Sequence, residues 1–452
     1  MKNNKILIEA GWVIPKAQSE AVIRHGAVAI ENGRIVNVGA AAAVRQGFAA
    51  ERVISVPHAA VMPGLVNTHT HLVGGFNKAI TEDISGSGLF RRARPLQEDY
   101  VKAPDIYFPG MVHGIEMLKT GTTTINENWI NQQESAVIVR DLGIRAVLAE
   151  MVREVTLSSP KQGSTERQWD RSLAQQGLDR SEALIEQWHG HDAGRITCRL
   201  GPHAPDMLSE WGFREVMDLA KRYDLGIHMH LAQVPGEREH VMAKHGLSPI
   251  EYMQRLGVLG PNTVGVHCVF MDAKDVSIMS DTRTALSHTA YLVAKRGYFP
   301  PMKDVYGTGI QVSFGSDWCS NDMWKIMRTA ILFARVTSGR TDIMTGYDAL
   351  RIATIGGAEA LGMGADIGTL EKGKKADLIA VNMRNAWLQP VREEDVITNL
   401  VYNANGSDVS HVIVDGRLLV DDHRLTTMDE DAVMTQAQAA AEKVWTSAAH
   451  LF

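Results

Sequence analysis

Two histidines stand at i and i+2 in Pro63-Gly64-Leu65-Val66-Asn67-Thr68-His69-Thr70-His71, directly after the apolar run Ala59–Met62. On an extended backbone alternate side chains share a face, so His69 and His71 point the same way. Neutral imidazole is a ligand for zinc and similar metals. The pair is therefore a candidate half of a metal site, provided the chain supplies partners; without them a His-x-His in a loop is only two polar residues. Residues of ligand type do recur downstream: His203 after Gly201-Pro202, the pair His228-Met229-His230, His267 in Val266-His267-Cys268, and Asp317 in Gly315-Ser316-Asp317.

The elements that must carry these residues follow from periodicity. From residue 59 onward apolar strand-like runs alternate with helical stretches. After the opening run come strands at Thr122–Asn126, Arg145–Glu150, Ile196–Leu200, Leu225–Met229, Thr263–Val266, Thr284–Ser287 and Gln311–Gly315. Helical spacing fills the intervals, including Asp105–Thr120, Gln132–Leu142, Glu210–Tyr223 and Met323–Thr337. Eight β/α alternations predict an α/β protein built on a (β/α)8 TIM-like barrel, in which reactive groups gather at the C-terminal ends of the strands. The candidate ligands stand at such ends, across some 250 residues, a distribution that scattered surface polarity does not explain. Residues 1–58 read as short strands with a hairpin turn at Asn32-Gly33, and residues 366–452 return to strands with an Asp415-Gly416 turn before an Ala-rich terminal helix. The two ends are expected to pair into one small β-sandwich domain, leaving 59–365 as the barrel.

Composition limits the alternatives. The chain has 452 residues, 45 % of them hydrophobic and 22 % charged, with a formal net charge of -6. That balance gives no electrostatic case for nucleic acid or an anionic membrane surface. No apolar run is long enough to span a bilayer, and the first residues do not read as a signal peptide. Cys198, Cys268 and Cys319 are far apart and odd in number, which fits a reducing cytoplasm and buried thiols better than a disulfide framework.

Pro63–His71, His230-Leu231-Ala232, Val266-His267-Cys268-Val269 and Gly315-Ser316-Asp317-Trp318 together resemble the amidohydrolase superfamily. The similarity is to the branch that holds atrazine chlorohydrolase, triazine hydrolases, and the S-adenosylhomocysteine/methylthioadenosine and cytosine or guanine deaminases. It extends over nearly the whole chain, including Gly121–Asn128 and Gly368–Leu378. The resemblance implies one divalent metal, zinc with iron as the alternative, held by His69, His71, His230 and Asp317. It implies that His267 binds either the metal or the attacking water and substrate, and that His203 contacts substrate. The fourth barrel strand lacks the lysine that would bridge a second metal, so one ion is expected. The resemblance also implies a small-molecule substrate and a homodimer or homotetramer. His228, two residues before His230 and on the same face, is expected to pack against the ligands.

A metal so placed would bring a water's pKa from about 16 toward about 7, with Asp317 accepting its proton and His267 orienting the nucleophile. The expected reaction is hydrolysis of a C–N bond in a small nitrogen-rich heterocycle, with deamination the commonest family outcome. One position departs from that pattern. Relatives that deaminate carry Glu three residues after the strand-five histidine, where this chain has Gln233. An amide hydrogen-bonds but does not exchange a proton near neutral pH. Asp317, His288 and Glu127 are the candidates to replace that function. Alternatively, the substrate loses chloride, thiolate, alkylamine or an activated amide. Trp318 either walls the pocket and stacks on a flat substrate or packs in the core; His288, at the end of strand seven, is a candidate substrate contact. The glycines of Ser85–Glu98 suggest a lid, and its arginines read as solvated.

Overall fold

The computed structural model describes residues 5–83, 92–157, 167–298 and 300–452; the glycines of the expected lid lie outside them. β1 (Lys5–Val13), β2 (Ile23–Glu31), β3 (Arg34–Ala40) and β4 (Arg52–Pro63) open the chain. Asn32 and Gly33 both take positive φ, 52° and 80°, as the tight hairpin turn between β2 and β3 requires. β1 runs antiparallel to β2 and parallel to β4.

The barrel strands come next: β5 (Leu65–Thr70), β6 (Thr122–Trp129), β7 (Arg145–Val152), β8 (Ile196–Cys198) with the short β9 (Gly201–Pro202), β10 (Ile227–Leu231), β11 (Thr263–His267), β12 (Ala285–His288) and β13 (Val312–Phe314). All pair in parallel, in two runs from β5 to β8 and from β10 to β13. Single parallel bridges join the runs. Leu200 meets Ile227 on one side, and Thr70 meets Asp317 on the other. Helices such as Tyr107–Lys119, Gln132–Leu142, Arg171–Trp188, Glu210–Tyr223 and Met323–Ser338 lie between the strands in sequence. The expected (β/α)8 architecture is present.

β14 (Leu378–Asn382), β15 (Val409–Val414), β16 (Arg417–Asp421) and β17 (Arg424–Leu425) join the N-terminal strands in one eight-stranded sheet, ordered β17-β16-β15-β14-β4-β1-β2-β3. The sheet curls until its two hairpin turns meet, and a Cβ on Gly416 would stand 2.6 Å from Gly33 Cα. Ile6, Ile8, Val28, Ile30, Val61, Leu378 and Ile413 fill the interior. Leu7, between Ile6 and Ile8, packs on the other face with Val44, as strand alternation demands. The apolar run Ala59–Met62, expected to be the first barrel strand, is the second half of β4 instead. It pairs with β14, and the barrel strand begins after the break at Gly64. A continuous apolar run is equally suited to either sheet, so only pairing decides.

A buried ion pair ties the two parts together. Arg145, at the start of β7, donates from Nε to Asp377 Oδ2 at 2.6 Å and from Nη2 to Oδ1 at 2.9 Å, and reaches Asp415 at 3.2 Å. Burial works against the guanidinium, but the carboxylates outweigh it and hold its pKa above the ordinary arginine value. Removing one member of such a pair strands a charge in the interior. Arg145→Ala is expected to cost about 3–5 kcal/mol, read as a lowered midpoint in urea unfolding.

Candidate metal centre and pocket

β5 carries its histidines into the barrel mouth, where Asp317 arrives from the end of β13. His69 Nε2 lies 3.6 Å from Asp317 Oδ2, His71 Nε2 3.7 Å from Oδ1, and His267 Nε2 3.5 Å from Oδ2. His230 joins them; its ring centroid is 4.8 Å from that of His69. The donor atoms of His69, His71 and His230 lie within 4.8 Å of one another, as do those of His69, His267 and Asp317. The structure thus brings together all five residues expected at the metal.

The far nitrogen of each imidazole is held. His71 Nδ1 donates to Asn128 O at 2.5 Å and His230 Nδ1 to His203 O at 3.2 Å, and His267 Nδ1 is hydrogen-bonded to Thr289 Oγ1 at 2.7 Å. The two carbonyl acceptors place the proton of His71 and of His230 on Nδ1 and leave the Nε2 lone pair aimed at the common centre. His69 is held by His228, with its Nδ1 2.9 Å from His228 Nε2, which gives His228 the packing role expected of it. His69 Nε2 is buried with no hydrogen-bond partner. A buried, orphaned lone pair facing three other imidazoles and a carboxylate fits a divalent ion that favours nitrogen and oxygen donors.

Electrostatics agree with neutral ligands. Burial, then the neighbouring His69, pushes His71 down to about 3, with Asp317 only partly offsetting them. Burial likewise drives His230 and His267 well below the ordinary histidine value. Burial opposes ionisation of Asp317, but the close approach of His69, with His71 and His267 around it, outweighs burial and holds the carboxyl well below the usual range. The carboxylate is thus available as ligand and as proton acceptor.

The pocket over this centre is lined by His71, His230, His267 and Asp317 together with His203, Gln233, Trp129 and Trp318. His203 and His230 have centroids 4.9 Å apart. Gln233 is positioned by Glu237, whose carboxylate accepts from the backbone N–H of Ala232 at 2.7 Å and of Gln233 at 2.8 Å. Trp318 is a pocket wall, and Trp129 packs beside it with ring centroids 6.0 Å apart. Trp129 was not singled out in the sequence, although it stands at the C-terminal end of β6, the position where barrel function concentrates.

Two candidates stand elsewhere. Ser287 meets Thr68 across the barrel interior at 2.8 Å, so alternation turns His288 outward and Thr289 inward. His288 is buried beside Phe314, with ring centroids 6.3 Å apart, and does not line the pocket; Thr289 supports His267. Glu127 is buried beneath the site. It accepts from Leu72 N at 2.9 Å and from Gln132 Nε2 at 3.2 Å, and burial pushes its pKa up to about 8. It holds the chain after His71 and does not reach the pocket. Arg94, read as solvated, lines the pocket, as does Arg296.

The model of the amidohydrolase family matches residues 60–419. The chain belongs to the amidohydrolase family. It is 33 % identical over 444 residues to a 5-methylthioadenosine/S-adenosylhomocysteine deaminase of Moorella thermoacetica, covering 97 % of this chain and 99 % of that one. It is 31 % identical to a 5'-deoxyadenosine deaminase of Methanosarcina barkeri, covering 98 % of each. Among solved structures, an adenosine deaminase from Xanthomonas campestris with bound zinc superposes with a TM-score of 0.89 at 28 % identity, over 98 % of this chain and 99 % of that one. The chain is accordingly a metal-dependent hydrolase with deaminases among its relatives.

The alternation argument has a direct consequence. Thr289→Val is expected to weaken metal binding about 10–100-fold, whereas His288→Leu changes it by less than about twofold. Competition against a chromophoric chelator measures both.

Proposed function

We propose that this chain catalyses hydrolytic deamination of a small, flat, nitrogen-rich heterocycle at one zinc ion, with iron as the alternative metal. The observation that carries the reading is the convergence of four imidazoles and Asp317 at the floor of a pocket walled by two tryptophans and lined by His203 and Gln233. Zinc in the structurally similar adenosine deaminase and the named deaminases among the relatives support it.

When bound, the metal supplies Lewis acidity and an ionised water at neutral pH. The rest falls to this chain's residues. His69, His71 and His230 hold the ion, with Asp317 beside them. The ionised Asp317 carboxylate takes a proton from the attacking water and returns it to the leaving group. His267, fixed by Thr289, orients the water. His203, kept neutral by burial and by the charges of Arg94 and Arg153, offers a ring nitrogen to the heterocycle. Trp318 and Trp129 exclude water and stack on a flat ring. We place this enzyme in the cytoplasm as a homodimer or homotetramer; light scattering reads the assembly.

One observation favours a second outcome at the same site. Among the described residues that line the pocket, Asp317 is the only carboxylate. Gln233 cannot shuttle a proton, so a substrate that releases chloride, thiol, alkylamine or an activated amide makes smaller demands on this site than one that releases ammonia.

Zinc-loaded protein incubated with aminated, chlorinated, N-alkylated and thiocarbamate substrates, with each leaving group assayed, separates the two readings. Ammonia release supports the first, and another leaving group alone supports the second. His69→Ala and Asp317→Asn are expected to lose metal and activity together, and full turnover by metal-free protein would overturn both readings. If Gln233 selects the leaving group, Gln233→Glu raises ammonia release about 100-fold, the low end of what acid–base assistance contributes; an unchanged rate argues against that role.

A further inference from the structure

His228 stands two residues before His230 on β10, and alternation turns both rings into the barrel. His228 does not line the pocket. Its backbone N–H donates to Leu200 O at 2.9 Å, and both it and His69 are fully buried. The His69–His228 pair holds four ring nitrogens. The inner two, His69 Nδ1 and His228 Nε2, share one hydrogen bond of 2.9 Å. The outer two, His69 Nε2 and His228 Nδ1, are both buried without a hydrogen-bond partner.

Two neutral imidazoles carry two protons. One occupies the bond between the rings, so the other sits on one of the two orphaned nitrogens. A third would add a buried cation within reach of Arg199, which is anchored to the carbonyls of Ile227, Asn262 and Ala360. The two remaining arrangements are unequal. With the second proton on His69 Nε2, that N–H faces Asp317 Oδ2 at 3.6 Å, and His228 Nε2–H donates to His69 Nδ1. With the second proton on His228 Nδ1, a donor is buried without an acceptor, which is costly, but His69 Nε2 offers a bare lone pair to the centre. The protein alone favours the first arrangement; an ion at the centre requires the second.

We infer that His228 is a positioning residue that accepts from His69 Nδ1–H, carries its own proton on the buried Nδ1 and so frees His69 Nε2 for the metal. Metal entry and the tautomers of both rings then change together. The bridging proton crosses from His228 Nε2 to His69 Nδ1, one proton leaves His69 Nε2 for solvent, and one from solvent reaches His228 Nδ1, so the pair keeps two. The inference rests on the zinc centre proposed above and is independent of the group that the enzyme releases.

The tautomers are read by NMR on protein with isotope-labelled histidine ring nitrogens, the His228 signals being those absent from H228Q. The expected result is a proton on His228 Nδ1 in zinc-loaded protein and on His228 Nε2 in metal-free protein. Competition for zinc against a chromophoric chelator tests the acceptor. Glutamine places an oxygen where Nε2 stands, whereas leucine fills the space with no acceptor. H228Q is expected to keep zinc affinity to within about threefold, and H228L to lose about 10–100-fold. A proton on His228 Nε2 with zinc bound overturns the inference. So does H228L with unchanged affinity, or an equal loss in both variants, because either pattern leaves His228 as packing alone. Urea unfolding shows whether the variants fold, and if H228L does not, the tautomers of the unaltered protein decide. The expected tautomers in a zinc-loaded protein that releases no ammonia sustain the inference and remove deamination. Ammonia release with a proton on His228 Nε2 does the reverse.

Discussion

Five imidazoles and one carboxylate can occupy so small a volume only if the imidazoles stay uncharged. Three of these rings, His69, His71 and His267, turn Nε2 toward Asp317 within a buried barrel mouth, with His230 grouped against His69 and His71, and a proton on any of them would place a cation against its neighbours with little water to screen it. Dryness therefore has a chemical effect, since it keeps the lone pairs available. Much of the surrounding architecture preserves that condition. Asn128 O, His203 O, Thr289 Oγ1 and His228 Nε2 each face an Nδ1, so every ring is held in place, and the two carbonyls fix the tautomers of His71 and His230 before any ligand arrives. His69 has a further role. Its carbonyl accepts from Ser316 N at 2.9 Å and Asp317 N at 3.0 Å, which closes the barrel between β13 and β5. The residue that presents a donor atom also joins the last strand to the first.

The candidate metal donors were legible in the sequence because they obey simple rules. His69/His71 and His228/His230 are spaced by two, and His267 and Asp317 end apolar strands, so strand periodicity and the barrel rule suffice to gather them. The misplaced residues show where those rules stop. His288 ends a strand too, but a register one residue off exchanges it with Thr289, and the direction of β12 is fixed only by Ser287 meeting Thr68 across the interior. Ala59–Met62 is apolar enough for either sheet, and only its pairing with β14 assigns it. Arg94 and Arg296 lie outside the strands, where no period constrains direction. Their inward turn depends on the contacts of Leu157 and the helix after β12.

Gln233 shows how a local substitution stays within a stable frame. Glu237 secures the backbone on either side of the Ala232–Gln233 peptide, and burial together with nearby Asp206 raises its pKa well above the ordinary carboxylate value. The loop is held by a group four residues away from the side chain that lines the pocket. The identity of residue 233 is therefore free to change the chemistry without moving the turn that presents it, which is how one barrel comes to serve several leaving groups.

The curled sheet that joins both ends of the chain affects how the protein is made. β4 lies between β1 and β14, yet β14 is encoded about 300 residues after β4. At a synthesis rate of about 5–20 residues per second, one edge of β4 waits about 15–60 s for its partner. Throughout that interval Ala59–Met62 is an apolar strand edge exposed in the nascent chain, the kind of surface that recruits neighbouring polypeptides or chaperones. A chain cut short between Asp317 and Leu378 keeps that edge for its whole lifetime, although every one of its candidate metal donors has already been translated.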